Sequence, residues 1–313
     1  MLKKLFATVV MSISVSAFAV PFGSQSVLVV EDDTGKILIE KNADRVVPIA
    51  SLTKLMTAMV VLDAKQDMDE LIEIDRSDVD TVKHSSSRVP VGALISRRDV
   101  LQLALMSSDN RAAAALARTF PGGKEGFKAA VRHKIAVLGM TQTVIEEPTG
   151  LNPRNRSTAG DLVKMAAASS KYPEITAMTT ESKDLINING REVEYRNTNR
   201  LVGAKGWDIG LSKTGYIQEA GRCLIMNIKA GGKNATMVLL NAGASSARIL
   251  DALNIRRFIT GEKAPVVARA SNRAPRYKAS SSRARIKASA GKTKIKAVKK
   301  RSKTKVVPKR RKK

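Results

Sequence analysis

Charge is not spread evenly along this chain, and its partition decides where a fold can form. From Lys263 to the C-terminus stand 21 Lys and Arg and no acid. That stretch is Ala, Lys, Arg, Ser and Val with a single aromatic, Tyr277, and it buries too little apolar surface to offset chain entropy. Residues 263–313 are therefore expected to be a disordered basic tail. The first 262 residues hold 34 bases and all 28 acids, a net charge of +6 out of +27. Total basicity is thus no argument that the folded part binds nucleic acid. One cysteine, Cys223, excludes an intramolecular disulfide framework and a cysteine-based zinc site. Within the apolar run CLIMNI its expected role is packing in a strand. Two histidines, His84 and His133, leave few ways to build a His-dependent triad or metal centre.

The N-terminus reads as an export signal. Two lysines lie within Met1–Lys4, Leu5–Val15 is mostly apolar, and Ala17-Phe18-Ala19 is a small-x-small end. The apolar run falls short of the ~20 residues that a membrane span requires. Residues 1–19 are assigned as a signal peptide and 20–262 as the folded domain. Export to the periplasm removes the chain from the genome, so nucleic acid is not the expected partner of the tail. Its readings are a solvated extension or a tether to anionic wall polymer or membrane surface.

Within the domain, VLVVEDDTGKILIE is a hairpin signal, two β-branched runs around Asp-Asp-Thr-Gly. After Pro48, Leu52, Leu55, Met56, Met59 and Val60 form an amphipathic helical stripe to about Asp63, with Ser51 in its first turn. Ser96 with Asp99 resembles a capping box ahead of Val100–Met106, and an alanine-rich helix runs to Arg118 after the polar loop 107–110. Further helices are expected at about 123–138 and 159–169, with the turn-rich EEPTGLNPRN between them. From Gly210, LSKTGYI, CLIMNIKA and TMVLLNAG predict three antiparallel strands, and Ser245 or Ser246 is expected to cap a helix from Ala247 to about Thr260. This order lets the first and last elements share one antiparallel sheet, with terminal helices on one side and the helical insert at its edge.

Ser51 and Lys54 stand at i and i+3, so both side chains leave one helix face. A desolvated lysine held near other cations loses pKa and serves as base for a hydroxyl, and the helix N-terminus favours a developing anion. Alone the pair is common, and Ser289 to Lys292 and Ser302 to Lys305 repeat it in the tail. Its company is not. Ser108-Asp109-Asn110 follows after 57 residues and Lys213-Thr214-Gly215 after a further 105. S-x-x-K with S-D-N and K-T-G is the set found in class A β-lactamases and penicillin-binding proteins. The roles cohere: Ser108 relays a proton to the leaving amine, and Asn110 holds Lys54 and the substrate's peptide carbonyl. Lys213 and Thr214 meet a carboxylate, and Gly215 clears space for a substrate strand at the sheet edge.

PIASLTKLMTAMVVLDA, ISRRDVLQLALMSSDNRAAAALA, EPTGLN, YRNTNRLV and LSKTGY resemble the periplasmic D-alanyl-D-alanine endopeptidases of the penicillin-binding protein 7 type, in the low-molecular-mass D,D-peptidase family, over about residues 25–260. The resemblance implies an α+β chain of the serine β-lactamase/D,D-peptidase fold, with the active site between sheet and helical subdomain. It implies acylation of Ser51 by peptidoglycan stem peptides, with Lys54 as base, and covalent inhibition by β-lactam antibiotics. It further implies an oxyanion hole from the backbone N–H groups of Ser51 and Tyr216, and neither metal nor cofactor. Many carboxypeptidases of this family add a second domain and carry a basic residue within Asn-x-Asn that binds a free C-terminal carboxylate. Here Asn197-Thr198-Asn199 has threonine, which favours an endopeptidase over the alternative, a D,D-carboxypeptidase. The other alternative is a class A-like β-lactamase. Those enzymes use Glu in E-x-x-L-N for deacylation, and Glu147 in EPTGLN is one residue out of step.

Overall fold

The computed structural model describes residues 22–262, so the signal peptide assigned to 1–19 and the tail at 263–313 lie outside the described residues. The elements are β1 (Ser26–Glu31), β2 (Ile37–Lys41), β3 (Val47–Pro48), α1 (Thr53–Asp63), β4 (Leu71–Glu73), β5 (Leu94–Ser96), α2 (Arg97–Leu105) and α3 (Asn110–Arg118). They continue with α4 (Gly123–Val137), β6 (Arg156–Ser157), α5 (Ala159–Ser169), α6 (Pro173–Thr180), β7 (Lys183–Ile188) and β8 (Arg191–Arg196). The chain then forms β9 (Ile209–Ile217), β10 (Gly221–Ala230), β11 (Lys233–Ala242) and α7 (Ser245–Thr260).

The first and last strands do share one sheet, antiparallel throughout, in the order β2-β1-β11-β10-β9. Side chains alternate across it. Val27, Val29, Leu224, Met226, Met237 and Leu239 join Ala252 and Ile255 of α7 on one face, whereas Leu28, Ile225, Val238 and Leu240 join the core of the helical body on the other. The helices therefore cover the second face and are not confined to the sheet edge. The cause is visible in β10 and β11, whose runs CLIM and ATMVLL are buried at consecutive positions and leave no face for water. Cys223 is one of these buried residues, and burial pushes its thiol up to about 11, as suits a packing residue.

Three local readings change. Ser51 is not in the first turn of α1 but in a 3-10 turn, Ala50–Leu52, that feeds it. Helix α7 begins at Ser245 with Ala244 as its N-cap and no side-chain cap, its first hydrogen bond running from the Arg248 N–H to the Ala244 carbonyl. Residues 173–196, which carry no expectation above, form α6 and the β7–β8 hairpin, reversed at Asn189-Gly190 with positive φ at both residues.

Candidate active site

Ser51 sits where three segments converge. The 3-10 turn is entered through Ala50 at φ +48°, an uncommon conformation for a residue with a Cβ, and its surroundings hold it there. The Ile49 N–H donates to the Asn155 carbonyl, Thr53 Oγ1 donates to the Ala50 carbonyl at 2.8 Å, and Asn155 Nδ2 donates to Thr53 Oγ1. Short strands β3 and β6 pair immediately before and after these contacts and tie the turn to the loop 146–155. Two glycines complete the seat. A Cβ on Gly150, whose φ is +85°, would stand 1.9 Å from the Ala50 carbonyl oxygen. One on Gly215 would stand 3.0 Å from the Ile49 carbonyl oxygen and 3.1 Å from the Ser51 nitrogen. The nucleophile turn thus packs tightly on Gly215, a constraint additional to the substrate clearance expected of it. Gly150→Ala should displace that turn: we expect a loss of ~3 kcal/mol or more in denaturant unfolding, together with slowed penicillin acylation. Parent-like values of both would show that the loop yields without moving Ser51.

Lys54, one turn along α1, is 1% exposed. Its Nζ donates to Ser51 Oγ at 3.0 Å, Asn110 Oδ1 at 2.6 Å and the Thr149 carbonyl at 2.8 Å. Burial lowers its pKa to about 8, against the opposing pull of Glu147 and then Asp109. Sequence reasoning therefore placed the lysine correctly but missed Thr149 as its third partner. It also missed Ser85, whose Oγ accepts from Asn110 Nδ2 at 2.9 Å. This fixes the Asn110 amide with its oxygen toward Lys54 and leaves its second N–H available. Ser85 is held in turn by Asp80, whose carboxylate accepts from the Val82, Lys83 and Ser85 N–H groups. Those bonds outweigh its partial burial and bring its carboxyl down to about 2. Ser108 turns the chain at φ +60° between α2 and α3, and Asp109 caps α3 through the Ala112 N–H while accepting from Ser87 Oγ.

Lys213 comes from β9, the sheet's edge strand, and is 1% exposed. Burial and then the nearby Lys54 and Arg248 cations lower its pKa. Its Nζ donates to the Thr214 carbonyl at 3.2 Å, a weak satisfaction for a buried ammonium among cations, and this is a seat that an anion would complete. Thr214 Oγ1 donates to Thr198 Oγ1 at 2.6 Å, so the threonine within Asn-Thr-Asn lies directly at that seat. Tyr216 next in the strand is half-exposed, its ring covered by the Arg222 guanidinium at 3.5 Å.

Glu147 is accounted for by its loop. Its carboxylate accepts from the N–H groups of Thr149, Gly150 and Asn152, from Thr149 Oγ1 and from Asn155 Nδ2. It shapes the turn that offers the Thr149 carbonyl to Lys54. Among the described residues, no three His, Cys, Asp or Glu side chains gather where they could share a metal ion.

A serine hydroxyl in contact with a buried lysine of lowered pKa, beside a cationic sheet edge, is the arrangement of the serine penicillin-recognising fold. Comparison with known proteins agrees: residues 13–244 match the family model of peptidase S11, D-alanyl-D-alanine carboxypeptidase, and the chain belongs to that family of serine peptidases. It is 45% identical over 250 residues to the D-alanyl-D-alanine endopeptidase of Pseudomonas aeruginosa, covering 79% of this chain and 81% of that one. With the enzyme of the same name from Escherichia coli K12 the identity is 43% at the same coverage. Among solved structures it resembles the Streptomyces K15 DD-transpeptidase with a TM-score of 0.72 at 26% identity, over 77% of this chain and 98% of that one. It also resembles the ampicillin-bound penicillin-binding protein D2 of Listeria monocytogenes, with a TM-score of 0.66 at 29% identity, over 76% and 97% of the two chains.

Proposed function

We propose that this protein is a serine D,D-endopeptidase that opens D-alanyl cross-links in peptidoglycan through an acyl-enzyme on Ser51. The observation that carries the reading is the buried Lys54 ammonium shared between Ser51 Oγ and Asn110 Oδ1. In its neutral form Lys54 takes the hydroxyl proton as Ser51 Oγ bonds to the D-Ala carbonyl carbon. The oxyanion faces the backbone N–H groups of Ser51 and Tyr216. As the C–N bond breaks, the proton passes from Lys54 through the Ser108 hydroxyl to the departing amine. Water then cleaves the ester and returns Ser51. Lys213 and Thr214 hold the carboxylate on the leaving residue, and the single long hydrogen bond of the Lys213 ammonium supports that role. Penicillins enter the same path and stop at the ester. The compartment this reading requires is the periplasm, where the cross-links are.

Against the carboxypeptidase reading stands Thr198. It hydrogen-bonds Thr214 where a basic side chain would add a second cation for a free C-terminal carboxylate. Against the β-lactamase reading stands Glu147, whose carboxylate already accepts five hydrogen bonds within its own loop. Incubation with purified cross-linked muropeptide dimers and with pentapeptide monomers, followed by mass analysis, separates the first two. We expect kcat/KM to favour dimers; faster loss of terminal D-Ala from monomers would make the enzyme a carboxypeptidase.

A further inference from the structure

Two grooves leave the catalytic residues. One, of about 430 Å³, runs past Asn110 between Val82, Ala114, Leu151 and Pro153 and is largely apolar. The other, of about 590 Å³, opens at Ser108 and is lined by Ser86, Arg88 and Asp109 and by Glu194, Tyr195 and Arg196 of β8. Its volume falls in the range of ligand clefts. Nothing in the chemistry at Ser51 uses it.

We propose that the cleft opening at Ser108 is the subsite for the departing stem peptide, a polar peptide bearing free carboxylates, and that Arg88 and Tyr195 select cross-linked substrate there. The proposal rests on the endopeptidase reading and adds where the second strand lies. Position assigns the side. Ser108 is the hydroxyl from which the leaving amine takes its proton, and the Asn-Thr-Asn segment is tied to the same loop by the Thr198 N–H on the Met106 carbonyl. The carboxylate seat at Thr214 touches Thr198, so a chain leaving that seat past Ser108 enters this cleft. A single D-alanine would end at the seat, whereas a stem peptide has to continue.

The wall suits such a chain. Tyr195 is 2% exposed, and its hydroxyl finds no hydrogen-bond partner among the described residues, an unusual state for a buried polar group. Burial raises its pKa and keeps the hydroxyl neutral, and its ring seats the Arg88 guanidinium. The Arg88 guanidinium lies 4.0 Å over the Tyr195 ring and donates one bond, to the Glu194 carbonyl at 3.0 Å, which leaves other N–H donors for a carboxylate. The acids of the wall are occupied. Glu194 pairs with Arg196 and Lys183, and Asp109 accepts from Ala112 and Ser87. Open donors therefore outnumber open acceptors, the balance that a carboxylate-bearing peptide matches.

The test is the ratio of kcat/KM on a cross-linked muropeptide dimer to that on a pentapeptide monomer, for the parent, Arg88→Gln and Ser86→Trp. Labelled penicillin, which carries no departing peptide, is used in parallel to check that Ser51 and Lys54 remain assembled. Ser86 is exposed and no side-chain hydrogen bond ties it down, so an indole there fills the cleft without removing a contact. We expect the ratio to fall about tenfold in both variants. If Arg88→Gln fails the penicillin check, Ser86→Trp alone decides. A ratio in Ser86→Trp within twofold of the parent overturns the proposal. A parent enzyme that turns over monomers only would instead end the endopeptidase reading, whatever the variants do.

Discussion

Ser51→Ala is expected to abolish peptide cleavage and stoichiometric penicillin labelling together, while melting within a few degrees of the parent. Loss of the nucleophile in an unrelated serine peptidase costs on the order of 10⁶ in kcat, and the same scale is expected here because among the described residues no other hydroxyl hydrogen-bonds Lys54. Thr53, the nearest in sequence, is fully buried and donates to the Ala50 carbonyl. The fold should survive because the nucleophile turn is held by Thr53, Asn155 and Gly150 and not by the Ser51 hydroxyl, whose only side-chain bond among the described residues is to Lys54. Persistent stoichiometric labelling of the variant would place the ester elsewhere.

Lys54 carries the second large effect, and its sign follows from its protonation. Only the neutral amine accepts the Ser51 proton, so kcat/KM for acylation should climb about tenfold per pH unit well below pH 8 and level off above it. Relative to an exposed lysine, a pKa of about 8 raises the neutral fraction at pH 7 by about 300-fold. Lys54→Ala should lower acylation by roughly 10²–10⁴ on the plateau above pH 8 and remove the rise. A flat profile from pH 6 to 9 in the parent, or parent-rate acylation of the variant, would take the base role from Lys54.

The contact between Ser51 and Lys54, the proposed nucleophile and base, was legible in the sequence because it is local. Ser51 and Lys54 are one turn apart, and i, i+3 spacing brings them together whatever surrounds the helix. Lys213 and Thr214 were legible from their motif and from the strand pattern around them. Less local partners were not. Ser85 reaches Asn110 only because Asp80 folds residues 80–85 around its carboxylate, and the Thr149 carbonyl reaches Lys54 only because Glu147 does the same for residues 147–152. Such loops advertise their Asp or Glu but not what their backbone will touch. The packing constraint on Gly215 was hidden on similar grounds, since its Cβ direction depends on how β9 packs against the Ala50–Leu52 turn. The β7–β8 hairpin had a readable Asn189-Gly190 signal, yet its flanking strands mix charged and apolar residues without the burial of a core sheet.

An acyl-enzyme on Ser51 fixes where a penicillin adduct must be found. After reaction with a penicillin, tryptic cleavage at Arg45 and Lys54 releases Val46–Lys54, which contains two hydroxyls, Ser51 and Thr53. Tandem mass spectrometry of the digest should find the adduct in this peptide and assign it to Ser51, with one equivalent bound per chain. An adduct on Thr53, on Ser108 or on any other peptide, or an intact mass unchanged by the drug, would contradict an acyl-enzyme at Ser51.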